Sequence, residues 1–217
     1  FLLLAMTISL VSGFLVADGS MIAAYNESFE KYHVEYGNFR VEKKLNKAQM
    51  KYISQAGISL YDNFYVEEPL DNGTTVRIFQ NRQQVNLPCL MSGSLPQGRG
   101  EIAIDRMYAE NNGLAVGDRL TCGDRSWIVS GLIALPDYSA LFQDNNDTMF
   151  DSLLFGVAVV SQEDFADFGK DTLFYCYSWL YDTPPADENQ EKDMAEDVMT
   201  TVNQEASLES FVPRYLN

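Results

Sequence analysis

Apolar and polar positions follow several different spacings along this chain, and each spacing predicts an element of structure. Residues 1–16 are almost all apolar and carry no charge. A helix of that length spans roughly 24 Å, which is less than the ~30 Å hydrocarbon core of a bilayer. We interpret residues 1–32 as the end of a truncated transmembrane helix and a stalk. The hydrophobic region of a secretory signal, with cleavage near Ala17, stays open as the alternative. Both interpretations place the rest of the chain outside the cytoplasm.

The next stretch combines strand-like alternation with one capped helical segment. Asn46 is a typical N-cap residue, and Gly57 is a typical helix stop. The Asp71-Asn72-Gly73 sequence is a strong signal for a turn between two hairpin strands. The pattern therefore predicts a strand at 38–43, a helix at 47–56, a strand at 58–67 and a hairpin strand at 74–80.

Short strands dominate the middle of the chain. Residues 101–105 have the pattern of a strand, residues 106–112 that of a short helix, and a tight corner at 113–118 precedes two more strands. Gly113 and Gly117 permit the backbone conformations that such a corner needs, and Asp118 can accept hydrogen bonds from nearby amides. We predict a β-rich unit from 87 to 135 that positions a surface and carries no catalytic constellation.

The last third of the chain returns to longer elements. The unbroken apolar run at 153–161 predicts a buried strand, residues 162–168 a short helix, and residues 172–181 a strand rich in aromatic side chains. An acidic helix begins at 187 and reaches as far as 208, with Met194, Val198 and Val202 as its buried stripe.

This order of elements predicts an α+β fold in which helices pack on one side of the strands. We expect a discontinuous α/β-sandwich subdomain formed by residues 37–80 plus 152–207. A small β-rich subdomain, residues 81–151, is inserted into it. The last helix can return the chain to the end of the domain where the first helix began.

Charge and cysteine content narrow the classes of function. The chain has 31 acidic and 15 basic residues and a formal net charge of −16, so we expect neither nucleic acid nor a broad anionic lipid face as a partner. One histidine and three scattered cysteines give no zinc site at a usual spacing, and we predict no metal or cofactor. Pairing of Cys89 with Cys122 stays open, while Cys176 lies in an apolar run typical of a buried thiol.

Two loops have partial ligand motifs. Gly93 and Gly98 have the spacing of a phosphate-binding loop, but Arg99-Gly100 stand where Lys and Ser or Thr are needed, and a strand follows instead of a helix. Asp144, Asn146 and Asp147 are oxygen donors suited to calcium, although the loop lacks the Gly and the final Glu of an EF-hand. A turn before a strand and a solvated loop are the favoured interpretations.

Other candidates for chemistry have equally simple structural explanations. His33 has no obvious nucleophile to activate. Glu101 and Asp105 share one face of a strand and are candidates for a carboxylate pair, against a purely structural role. Tyr175, Tyr177 and Trp179 alternate along one strand and form either a binding platform or a packed core. The acidic helix from 187 presents a solvated face or grips a basic partner. We therefore assign no catalytic residue.

The middle of the chain resembles a known family by an ordered set of short motifs. These are Gly93-x-x-Pro96, Glu101-Ile102-Ala103-Ile104-Asp105, Ala109, Gly113-Leu114-x-Val116-Gly117-Asp118 and Val129-x-Gly131. The set resembles the extracytoplasmic domain of FtsX-like permeases of ABC transporters, in particular the MacB-type periplasmic core domain. The motifs cover about forty residues, and the flanking organisation extends the likeness to nearly the whole chain.

The resemblance implies a non-enzymatic domain that is anchored in the cell membrane and lies outside the cytoplasm. It implies as partners an ABC ATPase subunit, reached through the membrane part of the full chain, and a second permease copy or half. It implies that the domain couples movement of membrane helices to export of a substrate or to engagement of a partner. The cargo is not defined. A membrane-anchored binding or sensor module for a peptide or a cell-wall fragment stays open as the alternative.

Overall fold

The computed structural model describes residues 27–70, 72–122, 125–138, 141 and 152–216. Within them the chain forms two β-sheets and, besides the helical residues 27–31, four α-helices. This confirms the predicted α+β class. The helices are α1 (Lys47–Ile53), α2 (Arg106–Asn111), α3 (Gln162–Ala166) and α4 (Glu188–Glu205). The strands are β1 (Gly37–Val41), β2 (Ile58–Asp62), β3 (Tyr65–Pro69), β4 (Thr75–Gln80), β5 (Cys89–Gly93), β6 (Glu101–Asp105), β7 (Arg119–Cys122), β8 (Arg125–Ala134), β9 (Phe155–Val160), β10 (Tyr175–Tyr181) and β11 (Leu208–Pro213).

The predicted membrane helix at residues 1–16 lies outside the described residues, and so does the stalk up to residue 26. Residues 27–31 are helical and lead into β1. Within the described ranges, no helix has the length and apolar character that crossing a membrane requires.

The smaller sheet has four antiparallel strands in the order β11-β1-β10-β2. One of its faces packs against α1 and α4 through an aromatic core, in which Phe39 and Tyr177 are fully buried with ring centroids 5.6 Å apart. Helix α4 contributes Val198 and Val202 as buried residues and Met194 as a partly buried one. The stripe predicted for this helix is therefore confirmed.

The larger sheet has seven strands in the order β3-β4-β9-β6-β8-β5, with β7 paired to β8. Two neighbouring pairs are parallel, β4 with β9 and β6 with β8. All six residues of β9 are buried, as the unbroken apolar run predicted. Helix α2 covers the sheet with Tyr108 and Ala109, which are both fully buried.

Local signals located most helix boundaries. Asn46 forms a capping box at the start of α1, accepting from the backbone N–H groups of Ala48 and Gln49, and this satisfies donors that have no partner inside the helix. Gly57 ends the helical segment with φ +76°, a value that glycine adopts without steric cost. The predicted hairpin between β3 and β4 is also present.

Two predicted elements differ from the structure. The strand predicted at 58–67 is two strands, because Asn63 N donates to Cys176 O and ends the ladder of β2 with β10. The chain then crosses to the larger sheet and begins β3 at Tyr65. The helix predicted to reach 208 ends at Glu205, and β11 follows. Alternation of side chains alone does not reveal a switch between sheets.

The sheets group the strands differently from the predicted subdomains. The larger sheet joins β3, β4 and β9, expected in the discontinuous unit 37–80 plus 152–207, to β5, β6, β7 and β8 of the insert 81–151. Its ladders run from β4 through β9 to β6. The larger sheet therefore continues across the boundaries predicted at residues 80 and 152, and only β1, β2, β10 and β11 form the separate smaller sheet.

The corner before β7 has the predicted chemistry. Gly117 has φ +98° and donates its N–H to Val129 O at 2.8 Å. Asp118 accepts from Ala115 N at 2.8 Å, and its own carbonyl accepts from Val129 N at 2.8 Å. Backbone hydrogen bonds on both sides of the corner thus fix it against β8.

Candidate functional site

Charged and amide side chains are buried at the seam between the two sheets, where an ordinary core would be apolar. Glu35 is 5% exposed and Asn86 is fully buried. The backbone N–H of Glu35 donates to Asn86 Oδ1 at 2.9 Å, and Asn86 Nδ2 donates to Glu35 Oε2 at 2.6 Å. Asn38 Nδ2 donates to the other carboxylate oxygen at 2.6 Å. These bonds tie β1 and the segment before it to the segment that follows β4.

A second buried pair lies in the same seam. Arg82 and Asp137 form an ion pair at 2.5 Å, and their side chains are 6% and 4% exposed. The guanidinium carbon of Arg82 is also 4.2 Å from the ring centroid of Phe79. Removing one partner of such a pair would leave an uncompensated charge, so both residues are needed together.

Arg77, on β4, links the neighbouring strand β3 to Tyr138, the residue after Asp137. It forms an ion pair with Glu67 and donates to Tyr138 Oη at 2.8 Å. Its guanidinium carbon lies 4.3 Å from the ring centroid of Tyr65. The ring and the carboxylate hold the cation in one geometry, which favours a rigid contact over a mobile one.

Burial sets the electrostatics of the seam. It raises the pKa of Glu35, and the negative charge of Asp137 raises it further, while hydrogen bonds from Asn38 and Asn86 act in the opposite direction. Burial likewise raises the pKa of the Cys176 thiol to about 12, with a further contribution from Glu35. The thiol of Cys176 therefore stays protonated at neutral pH and is inert as a nucleophile.

A groove of about 1030 Å³ opens beside the seam. One wall is formed by residues 60–64, which include the end of β2, and the other by residues 79–85, which include the end of β4. Residues 95–97 and the start of α3 close its end. Several buried polar atoms of its lining residues have no hydrogen-bond partner: Asn63 Oδ1, Asn81 Oδ1, Arg82 Nε and Arg82 Nη2.

The candidate catalytic residues are separated and occupied by structural bonds. His33 Nδ1 lies 2.9 Å from the carbonyl oxygen of Gln84. Glu101 accepts from the backbone N–H of Gln97 at 2.8 Å, whereas Asp105 caps α2 by accepting from Tyr108 N at 3.0 Å. Both carboxylates accept hydrogen bonds from backbone N–H groups, which is the structural role that we weighed against a catalytic carboxylate pair.

The loop with phosphate-loop spacing is a turn between β5 and β6, as favoured from the sequence. Its Arg99 side chain is exposed and forms ion pairs with Glu163 at 3.2 Å and Asp167 at 2.8 Å. Asp164 Oδ2 accepts from Gly100 N at 2.9 Å. A carboxylate therefore occupies the position where a phosphate would need free amides.

The alternating aromatic side chains of β10 pack inward. Tyr177 and Trp179 are fully buried, and Tyr175 is half-buried with its ring edge-on to Phe64. Trp179 also stacks on Phe211, with ring centroids 5.0 Å apart. A binding platform on this strand is therefore wrong, and the core-packing alternative is confirmed.

The cysteine pairing and the metal ligands are the remaining predictions about ligands. Cys89, Cys122 and Cys176 are free thiols, so the pairing left open for Cys89 and Cys122 is absent. The predicted calcium ligands Asp144, Asn146 and Asp147 lie outside the described residues. Across the part of the chain that is described, no group of three or more His, Cys, Asp or Glu side chains could hold a metal ion.

Sequence reasoning missed the seam and the groove. Arg82, Asn86 and Asp137 all fall within the predicted insert 81–151, and we assigned them no role there. Glu35 lies between the predicted stalk, which ends at residue 32, and the strand predicted at 38–43, and we assigned it no role. In the structure Asn86 has φ +50°, but no sequence pattern predicts this conformation or the bonds of Asn86.

The acidic helix α4 has one ionic contact to a distant strand end. Arg214 Nη2 lies 3.3 Å from Glu191 Oε2. Its guanidinium carbon is also 3.9 Å from the ring centroid of Tyr36 and 5.1 Å from that of Phe29. Arg214 thus joins the segment before β1, the segment after β11 and helix α4.

No family model matches the chain, and no curated protein sequence is similar to it. The fold of this chain is similar to the folds of two solved structures. One is the extracellular domain of the noncanonic ABC-type transporter YknZ from Gram-positive bacteria, with 10% identity and a TM-score of 0.42, covering 81% of this chain and 100% of that one. The other is the periplasmic region of MacB from Actinobacillus actinomycetemcomitans, with 11% identity and a TM-score of 0.43, covering 78% and 85%. One of them is an extracellular domain and the other a periplasmic region.

Proposed function

We propose that this chain is a non-catalytic extracytoplasmic domain of an ABC-transporter permease subunit. In this role it passes movement of the membrane helices to an exported substrate or to a partner protein. The proposal starts from the ordered motifs of the sequence, and one structural observation carries it: the segments that lead into and out of the domain form a single stem. We define the stem as residues 27–36 together with 213–215.

The two halves of the stem are in direct contact. Gly37 and Pro213 are paired in the ladder of β1 with β11, and Arg214 N donates to Tyr36 O at 2.7 Å. The Arg214 side chain packs on the rings of Phe29 and Tyr36. A domain carried between two membrane segments must receive and return the chain side by side, and the stem has that arrangement.

The stem also suits transmission of a displacement. β1 lies inside the smaller sheet, between β11 and β10, and Tyr36 N donates to Trp179 O at 3.0 Å. Glu35 then links the stem to Asn86 of the segment after β4. A shift of one half of the stem relative to the other would therefore act on both sheets through packed and hydrogen-bonded contacts.

The absence of catalysis is part of the proposal. It is supported by Glu101, Asp105 and His33, which were the candidates for acid–base chemistry and are each bonded to a backbone group. In the full protein we propose that ATP is hydrolysed by a separate ABC ATPase subunit. We also propose a second permease copy or half beside this one, without naming a cargo.

A membrane-anchored binding module for a peptide or a cell-wall fragment is the second candidate. The groove beside β2, with its unpartnered polar atoms, is the observation that favours it. The buried rings of β10 no longer support it.

The parent gene tests the permease proposal directly. We expect membrane helices to be encoded on both sides of this domain and an ABC ATPase to be encoded beside it. A reading frame that ends close to residue 217, with no ATPase gene nearby, would contradict the permease and leave the binding module.

Cysteine labelling of intact cells tests the location. The variant Cys89→Ser removes the half-buried thiol, and Asp193→Cys then adds a thiol at an exposed position of α4. We expect a membrane-impermeant maleimide to label this variant in intact cells, whereas the buried Cys122 and Cys176 react only after unfolding. Labelling that requires cell lysis would overturn an extracytoplasmic location.

A further inference from the structure

The outer edge of β2 has no neighbouring strand among the described residues, because the smaller sheet ends there. The ladder to β10 includes the bond from Asn63 N to Cys176 O at 2.9 Å. Backbone hydrogen bonds alternate sides along an antiparallel strand. The N–H and C=O groups of Leu60 and Asp62 therefore point away from β10 and are open to a further strand.

The groove lies along this open edge. Its wall includes the consecutive residues 60–64. Side chains of successive strand residues point to opposite faces of a sheet, so a groove that borders all of them follows the edge of the strand and not one face. Its other wall, residues 79–85, stands across from this edge.

Residues that line the groove also hold buried donors and acceptors without partners, just beneath its surface. Asn63 is 5% exposed, and its Oδ1 has no hydrogen-bond partner. Asn81 Oδ1 is a second acceptor, while Nε and Nη2 of the buried Arg82 are donors. A buried polar atom without a partner is uncommon in native structures and points to a missing bonding group. A peptide group supplies a donor and an acceptor together.

Charge around the groove is locally balanced, although the chain carries −16 overall. Lys44 Nζ lies 3.9 Å from Asp62 Oδ2, and Arg82 is paired with Asp137. The rim carries the uncharged amides of Gln80, Gln84 and Gln97. A neutral polar ligand therefore fits better than an anion or a cation.

We propose that this groove binds an extended peptide segment, which adds as a strand to the outer edge of β2. Backbone groups of Leu60 and Asp62 supply the ladder, and alternate side chains of the peptide pack on the half-buried rings of Phe64 and Phe165 in the groove. A glycan can use the amide side chains but has no backbone to continue the ladder, so the geometry favours the peptide. The site deepens the second proposed function, and it is compatible with the permease.

The test uses the full chain, purified in detergent, and a displayed library of random octapeptides. We expect enriched peptides to bind with a measurable affinity and to slow hydrogen exchange at the backbone amides of Leu60 and Asp62. A muramyl tetrasaccharide, which represents a cell-wall glycan, is measured in parallel. Binding of the glycan without binding of any peptide would overturn the proposal, and so would a library that yields no binder.

Two matched pairs of variants locate the site. Asp62→Pro removes the outward N–H, which edge strands tolerate, whereas Asp62→Ala removes only the carboxylate. We expect Asp62→Pro to weaken peptide binding at least ~10-fold and Asp62→Ala to stay within ~3-fold of wild type.

The second pair is Gln84→Trp, which fills the groove from its exposed rim, and Gln84→Ala as its control. This pair keeps the test independent of whether Asp62→Pro folds. We expect Gln84→Trp to lose binding and Gln84→Ala to keep it. Wild-type affinity in both Asp62→Pro and Gln84→Trp would place the peptide elsewhere and overturn the proposal. The gene-context and labelling tests of the permease are independent of every outcome here.

Discussion

The ring of Tyr108 occupies the space that a side chain at Gly156 would need. A methyl group at Gly156 would lie 2.5 Å from Tyr108 Cγ, well inside van der Waals contact. The ring has no room to retreat, because Tyr108 is fully buried and its hydroxyl lies 2.6 Å from Thr74 Oγ1. Close approach of helix α2 to strand β9 therefore depends on glycine at position 156.

We expect Gly156→Ala to lower the free energy of unfolding by about 1–3 kcal/mol, the usual cost of adding a methyl group to a filled core. Urea unfolding followed by circular dichroism measures this. The matched control is Gly98→Ala, because Gly98 has open space around it and no positive φ. A variant Gly156→Ala as stable as Gly98→Ala would show that the helix can shift away.

Local structure was predictable from the sequence where a residue carries its own signal. The cap at Asn46, the stop at Gly57 and the buried run of β9 were all located in advance. The two sheets were not, because β2 and β3 form one continuous apolar–polar pattern and separate only where the ladder with β10 ends. The seam was also out of reach, since pairing of Arg82 with Asp137 depends on segments 55 residues apart that no local pattern connects.

The Gly117 corner yields a prediction about stability. A β-branched residue at φ +98° is strained whatever the space around it. We expect Gly117→Val to cost about 1–3 kcal/mol of unfolding free energy. Gly98→Val, which makes the same chemical change at an ordinary φ, should cost less. A circular-dichroism melt with an unchanged midpoint for Gly117→Val would refute this role of the corner.

The reciprocal bonds of Glu35 and Asn86 predict a large effect of a small change. Asn86→Ala leaves the buried N–H of Glu35 without an acceptor and removes one of the two amide donors to its carboxylate. We expect a loss of about 2 kcal/mol or more in unfolding free energy. Because Asn86 has φ +50°, backbone strain in alanine could contribute to this loss. Asn86→Gly separates the two effects: it removes the bonds without strain and should be nearly as unstable. Recovery of wild-type stability in Asn86→Gly would assign the loss to strain.

Burial of the Glu35 carboxyl predicts a pH dependence of stability. Burial raises the pKa of Glu35 above its ordinary 4.5, so in a window above that pH the folded chain holds a proton that the unfolded chain has released. The free energy of unfolding therefore falls as pH rises from about 4.5 through the pKa of the folded state. Burial raises the pKa values of Asp62 and Asp105 as well, and their contributions have the same sign.

Glu35→Gln removes only the part of this dependence that belongs to Glu35. We expect the stability of wild type relative to Glu35→Gln to decrease as pH rises from about 4 to about 8, measured by urea unfolding at each pH. Glu196→Gln, which replaces an exposed carboxylate of α4, is the control and should run parallel to wild type. A constant difference between wild type and Glu35→Gln across that range would mean that the carboxyl ionises as easily in the folded chain as in the unfolded one. The hydrogen bonds from Asn38 and Asn86 would then stabilise a second negative charge in the seam beside Asp137.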